Sequence, residues 1–440
     1  MNFSSLLFIF CFLPIFLLTY YVCPKRFKYI VLLIGSVLFY LYSGLFNLII
    51  LLILSTVNYI LTLIISKKEK LNKLLIVLVV LNLLTLLIFK YNDSLIFPLG
   101  ISFYIFNNIS YVIDVMKKKI IPEKNYLYYL VYSMLFCHVT MGPICRYDVL
   151  SDNFKNINYS FEDITSGFKR FLGGLFKKVI FANNLGLLYV TLTELGNQNF
   201  FIILFSLIVF ALQLYLDFSG YCDMAIGLGK MIGLNYPENF NYPYQALSIS
   251  DFWRRWHITL SEFFKEYVYF PMGGNRVSKI RNIFNLLVVW FLTGMWHGNT
   301  WNFLLWGVYY GVILIIEKYL LKNILLKTPK LIKHIYVLVI VLIGYIFFSM
   351  NSLEAILSTF KALFTFTSID GSLVFYLKEH IVLLIVSCLL CFKLPDSIIK
   401  KLENSKTFNI IVCISYIVLF VIAVCYILNS SYQPFLYNNF

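Results

Sequence analysis

The sequence predicts an all-α, polytopic membrane protein with about eleven transmembrane helices plus re-entrant and interfacial helices. Three observations predict it. Of the 440 residues, 60% are hydrophobic and 13% charged, and the mean hydropathy is +0.81; soluble domains carry about 25% charged residues. Apolar runs of 14 to 21 residues recur along the whole length. Lys and Arg gather in short clusters between those runs. The chain reads as one integral membrane domain, 1–440, with no soluble domain, long linker, low-complexity segment or internal repeat.

The expected spans are 4–22, 29–43, 46–65, 74–90, 97–116, 126–142, 171–190, 200–216, 283–296, 301–320, 335–350, 380–393 and 408–428. The segments at 171–190 and 283–296 are candidates for re-entrant or tilted helices. The first run lacks a basic n-region, and no small-residue cleavage site precedes Lys25, so it reads as a retained helix rather than a signal peptide. The clusters Lys25-Arg26-Lys28, Lys67-Lys68-Lys70-Lys73 and Lys117-Lys118-Lys119 fit cytoplasmic loops. Between the first two lie a pair of runs joined by the uncharged Ser43-Gly44, which places the N-terminus outside. The net charge of +15 is therefore topological and excludes nucleic acid as a partner; membrane lipid is the expected environment.

Segment 221–282 interrupts the spans. It holds Lys230, Arg254, Arg255, Lys265, Arg276, Lys279 and Arg281, and is expected at the cytoplasmic face. Ser250-Asp251 reads as a helix start. From there Phe252, Trp253, Trp256, Leu260, Phe263, Phe264 and Tyr267 recur at helical spacing, predicting one amphipathic interfacial helix closed by Pro271-Met-Gly-Gly-Asn-Arg276.

His297 lies near the middle of 34 residues, Ile283 to Ile316, without Asp, Glu, Lys or Arg. An ionisable group in such a run is a functional-site hypothesis. One span needs about 20 residues and two with a turn about 45, so the run reads as broken helices. The break is expected at Gly294-Met-Trp-His297-Gly298-Asn, where irregular backbone must line protein or a hydrated cavity. Trp290, Trp296, Trp301, Trp306 and Asn299 surround that histidine in sequence. An imidazole there suits general-base removal of a hydroxyl proton, or is a buried neutral side chain bonded to backbone. His257 forms a second Trp-His pair and falls on the apolar face of the interfacial helix, either as a packed anchor or at the mouth of the same cavity.

Asp217 and Asp223 flank Phe-Ser-Gly-Tyr-Cys and need cationic partners, for which Arg254, Arg255 and Arg276 are the candidates. Arg254 and Arg255 can take the phosphates of a nucleotide-like acyl donor or anchor to anionic lipid. His138, His334 and His380 read as structural or loop histidines. The nine cysteines lie mostly within apolar runs, and Cys388-Leu-Leu-Cys391 reads as core or lipid-facing. Gly227-Leu-Gly-Lys230 is not a phosphate loop. No G-x-S-x-G, H-E-x-x-H or Walker A pattern occurs, which removes the support for hydrolase, zinc protease and ATP-driven pump readings.

Asp251-Phe-Trp-Arg-Arg-Trp-His-Ile-Thr-Leu260, then Tyr269-Phe-Pro-Met-Gly-Gly-Asn-Arg276 and Gly294-Met-Trp-His-Gly298, resemble the membrane-bound O-acyltransferase family, in its bacterial alginate O-acetyltransferase-like branch. Teichoic-acid D-alanyl transfer proteins are its near relatives. Supporting stretches are Ser102-Phe-Tyr104, Ser110-Tyr-Val-Ile-Asp114, Gly142-Pro-Ile-Cys-Arg146, Leu216-Asp-Phe-Ser-Gly-Tyr221 and Pro434-Phe-Leu-Tyr-Asn-Asn-Phe440; Asn107 stands where the pattern has glutamine.

The resemblance implies that His297 matches the catalytic histidine and His257 the second family histidine. They would sit in a central tunnel joining a cytoplasmic acyl donor to an extracytoplasmic acceptor. The expected reaction moves a short acyl group, acetyl by preference, from acetyl-CoA or a carrier-protein phosphopantetheine thioester to hydroxyls of an exported or cell-surface polysaccharide. Asn299, Trp296, Asp217 and Asp251 are the expected supporting residues, and Arg254, Arg255, Trp253 and Arg276 the expected donor contacts. No metal or resident cofactor is expected. A separate extracytoplasmic esterase-like or transferase partner and residence in the bacterial cytoplasmic membrane also follow. D-alanyl transfer from a carrier protein to teichoic acid is the near alternative. A transporter or channel is the alternative of another class, and a scaffold for polysaccharide export the third.

Overall fold

A computed structural model describes residues 1–196, 198–393, 398 and 405–429. The stretch Pro434 to Phe440 lies outside the described residues. Every regular element among those described is helical. Eight helices are long and apolar enough to cross a bilayer, or nine if the pair Gly371–Glu379 and Ile381–Leu390, bent by 64°, forms one span. That is fewer than eleven by length and composition. Phe8–Val22 and Ile101–Met116 are shorter apolar helices. The run at 126–142 breaks after Tyr126–Met134. The helix Lys279–His297 begins with Lys279, Arg281, Asn282 and Asn285.

The chain divides into two compact units. The first comprises Met1–Gly174 and Tyr221–Glu238. Its centre is the helix Ile101–Met116, buried from Ile101 to Val115. Several polar side chains in and around it are paired, as an apolar interior favours, while the buried Ser102 and Tyr104 hydroxyls have no hydrogen-bond partner among the described residues. The ring Nε2 of His138 lies 3.1 Å from Asn107 Nδ2 and its Nδ1 3.2 Å from the Tyr236 hydroxyl. Tyr129 donates to Asn108 Oδ1 at 2.8 Å. Asn58 and Asn82 exchange amide bonds of 3.1 and 2.7 Å. The partner of Asp223 is none of the three arginines expected from sequence. Arg170 donates to it at 3.0 Å and to both oxygens of Glu238 at 2.6 and 2.5 Å.

The second unit comprises Leu175–Gly220 and the described residues from Asn239 onward. Asp217 lies within one continuous helix, Phe200–Met231, rather than at the end of a run; the expected cytoplasmic segment therefore starts inside that helix. Its carboxylate pairs with the Lys178 ammonium, and both side chains are buried. Helix 161–193, which contains the segment 171–190, is likewise continuous over 33 residues.

The scaffold of this unit is a hairpin of Lys279–His297 and Trp301–Ile316. The expected break falls at the C-terminal end of the stretch Gly294 to Asn299, not at Gly294. Helix 279–297 runs through it, and only Gly298 to Thr300 lie outside helix. The glycines serve contact instead. A Cβ on Gly294 would stand 2.6 Å from the Phe303 carbonyl oxygen, and one on Gly307 would collide with the Trp290 carbonyl. Small residues at such crossings let backbones approach. His297 is consequently the last residue of a helix, about 27 Å along the axis from Lys279 at 1.5 Å per residue.

Gly294→Ala and Gly307→Ala should each destabilise by about 1–3 kcal/mol, the usual cost of overpacking. Gly173→Ala, with nothing within 4 Å of the added carbon, should be neutral or slightly stabilising. Thermal unfolding in detergent reads the difference; equal behaviour of all three would remove the crossing.

Candidate active site

The expected single helix from Ser250 to Tyr267 does not form. It is split into Ile249–Arg255, Ile258–Phe264 and the wider turn Lys265–Tyr269. The break falls at Trp256-His257, because a neighbouring extended segment takes the backbone. Asn241 N–H donates to the Arg255 carbonyl at 2.9 Å, and Ile258 N–H donates to the Asn239 carbonyl at 3.0 Å. His257 bridges the two helices with φ at +45°, a left-handed conformation that is strained for a side chain of this size. It therefore does not share the apolar face of one helix, and at 2% exposure it is no interface anchor.

The hydrogen bonds of Asn239 fix the tautomer of His257. Thr259 N–H, which can only donate, lies 3.2 Å from Asn239 Oδ1, so that atom is the amide oxygen. The same oxygen accepts from the Thr259 hydroxyl at 3.0 Å and stands 3.2 Å from His257 Nδ1. Nδ1 must carry the proton. Nε2 then holds the lone pair, and it is buried without a hydrogen-bond partner among the described residues. Burial pushes the His257 pKa down to about 3, which keeps the ring neutral.

His297 is 5% exposed and boxed by rings. Trp296 and Trp306 each lie 4.7 Å from it, Phe348 5.4 Å and Phe303 6.3 Å, centroid to centroid. Trp296 also lies 6.0 Å from His257, so its indole links the two imidazoles. A cavity of about 260 Å³ has both histidines in its wall. Trp253, Trp290 and Trp306 form an aromatic side, with Trp253 4.7 Å from Trp290 and 5.6 Å from Trp306. Arg254 and Lys265, both exposed, supply the cationic part of the lining.

The other expected site residues are placed elsewhere. Asn299 is exposed in the hairpin turn and does not line the cavity. Arg255 turns to Asp251, donating from Nε at 3.0 Å, and neither lines it. Arg276 is exposed beyond Gly273-Gly274, whose φ values of +97° and +55° make the turn. That turn is tied to the His297 helix: Asn282 donates to the Gly274 carbonyl at 2.8 Å and Asn285 to the Met272 carbonyl at 3.0 Å. Asp217 contacts Lys178 and is absent from the lining. The sequence reading missed Asn239, which carries no motif signal, and took Lys265 only as one of the basic residues of segment 221–282. Among the described residues no cluster of three His, Cys, Asp or Glu side chains could hold a metal ion.

Comparison with known proteins places this geometry in a class. The model of the membrane-bound O-acyltransferase family matches residues 34–359. The chain is 34% identical to the probable alginate O-acetylase of Azotobacter vinelandii, covering 83% of this chain and 78% of that protein. It is 31% identical to the peptidoglycan O-acetyltransferase of Helicobacter pylori, covering 82% and 79%. The teichoic acid D-alanyltransferase of Bacillus subtilis is 29% identical over 50% of this chain and 59% of its own. The protein is an integral, multi-pass membrane O-acyltransferase. The chain belongs to the membrane-bound O-acyltransferase family.

The neutral, buried His257 makes the fold acid-sensitive. Its folded pKa lies below the unfolded value of about 6.5, so the unfolded chain binds the extra proton and this stability is lost as pH falls below about 6.5. The unfolding midpoint should drop between pH 6.5 and pH 4, and His257→Gln should flatten that decline. An unchanged slope in the variant would contradict the neutral assignment.

Proposed function

We propose that this chain transfers an acetyl group from a cytoplasmic thioester to hydroxyls of an exported or cell-surface polysaccharide. The placement of His257, His297, Arg254 and Lys265 in the wall of one cavity carries this reading. The acetylases and the peptidoglycan acetyltransferase among its relatives support acetyl and a polysaccharide acceptor. D-alanyl transfer is the weaker reading, since those relatives match only about half the chain.

In the proposed reaction His297 takes the proton of the incoming hydroxyl as its oxygen attacks the thioester carbonyl carbon. The carbon–sulfur bond breaks, the departing thiolate takes that proton, and an ester remains. His257 offers its Nε2 lone pair to a donor group of the substrate. Arg254 and Lys265 hold the donor's phosphates. The aromatic walls exclude the water that would hydrolyse the thioester. The donor is acetyl-CoA or a carrier-protein thioester. An extracytoplasmic esterase-like or transferase partner receives or hands on the acyl group. We place the chain in a bacterial cytoplasmic membrane with its N-terminus outside.

His297→Ala should lower acyl transfer by about 10²–10⁴-fold while the protein purifies normally. Transfer of radiolabelled acetyl by the purified protein measures this, and retention of more than about a tenth of the rate would end the assignment. Arg254→Ala should raise the apparent KM for the donor. Arg255→Ala, which removes the tie to Asp251 and a 3.4 Å bond to the Asn241 carbonyl, should change it much less; the reverse order would reject the cationic wall.

A further inference from the structure

Glu317 has no place in the reaction just described, yet its side chain is 5% exposed and follows the long apolar helix Trp301–Ile316. A buried carboxylate needs hydrogen bonds. Three come from the start of another helix. Ile249 N–H donates to Oε1 at 2.7 Å, and Ser250 donates to Oε2 through its N–H at 2.8 Å and its hydroxyl at 2.7 Å. The Tyr336 hydroxyl lies 3.5 Å from Oε1.

The helix so held, Ile249–Arg255, is only seven residues long. Too short to be stable by itself, it depends on its surroundings. Its first N–H groups have no partner within the helix, and a negative charge there also meets the positive end of the backbone dipole. Ser248 takes one more, accepting from Asp251 N–H at 2.9 Å. This helix carries Trp253 and Arg254 into the cavity wall. Glu317 lies eleven residues along the chain from Trp306, the ring 4.7 Å from His297. The carboxylate thus joins the element bearing the cationic wall to the hairpin bearing His297. His257 is held separately, through Asn239.

We propose that Glu317 is a positioning residue that fixes Trp253 and Arg254 relative to His297, and so sets donor binding without taking part in proton transfer. The kinetic part of this proposal rests on the acyltransferase reading given above; the structural part does not.

Two measurements on the full-length protein in detergent test it. Amide hydrogen exchange should find Ile249 and Ser250 protected in the wild type and fast in Glu317→Ala, with Ile258 and Thr259 unaffected. Kinetics with acetyl-CoA should show an apparent KM raised by about 10-fold, the scale of a lost charge-assisted hydrogen bond, with kcat within about threefold. Glu317→Gln keeps the volume but turns an amide N–H₂ toward the N–H donors. With its remaining oxygen still accepting from one of them, it should speed exchange at the other amide and raise KM in the same direction if Glu317→Ala does not fold. Protected amides in a folded variant would overturn the strut. Fast exchange with unchanged KM, or equal losses in kcat and kcat/KM, would overturn its role in donor binding. A wild type that exchanges as expected but transfers no acyl group would instead reject the acyltransferase reading.

Discussion

The contact on which the site depends is the glycine crossing between helices 279–297 and 301–316. A side chain at Gly294 or Gly307 would meet a backbone carbonyl, not a flexible neighbour that can give way. Their absence lets the two helices lie close enough for Trp306 to face His297 at 4.7 Å and for a three-residue turn to close the hairpin. In a chain this apolar, hydrophobic burial does little to choose one helix pairing over another, since lipid is as apolar as leucine. Close packing and internal hydrogen bonds make the choice.

The second constraint is that a buried charge or backbone N–H is costly unless it finds a partner inside the protein. Lys178 meets Asp217, and Arg170 meets Asp223 and Glu238. Glu317 meets the start of helix 249–255. Asn239 gathers the first residues after the kink. The same demand produces the kink at His257: once 239–241 claims the backbone of Arg255 and Ile258, a continuous helix there is impossible. An irregular, polar seam results at the point where the two Trp-His pairs come together.

Much of this was legible in the sequence. The all-helical membrane class followed from composition and from the recurrence of apolar runs. The two Trp-His pairs were visible as chemistry in apolar surroundings, and the structure brings both histidines to one cavity. Gly294 was noticed for the wrong reason, because a glycine that permits a crossing and one that ends a helix look alike in a single sequence. Helical periodicity ran across Trp256-His257 because it records which residues are apolar, not where another segment captures a backbone N–H. The partners of Asp217 and Asp223 were misassigned for a similar reason. Pairing across helices is fixed by packing, and Lys178 and Arg170 lie tens of residues away. Asn239 and Glu317 act through oxygens aimed at backbone, a role without residue spacing to reveal it.

The central claim is that one cavity, with His297 and His257 in its wall and Arg254 and Lys265 beside them, receives the thioester. An experimental structure of the protein bound to a non-hydrolysable acetyl thioester analogue tests it most directly. The account predicts the analogue's carbonyl between the two imidazoles and its phosphates against Arg254 and Lys265. Analogue bound elsewhere at saturating concentration, with this cavity empty, would contradict it.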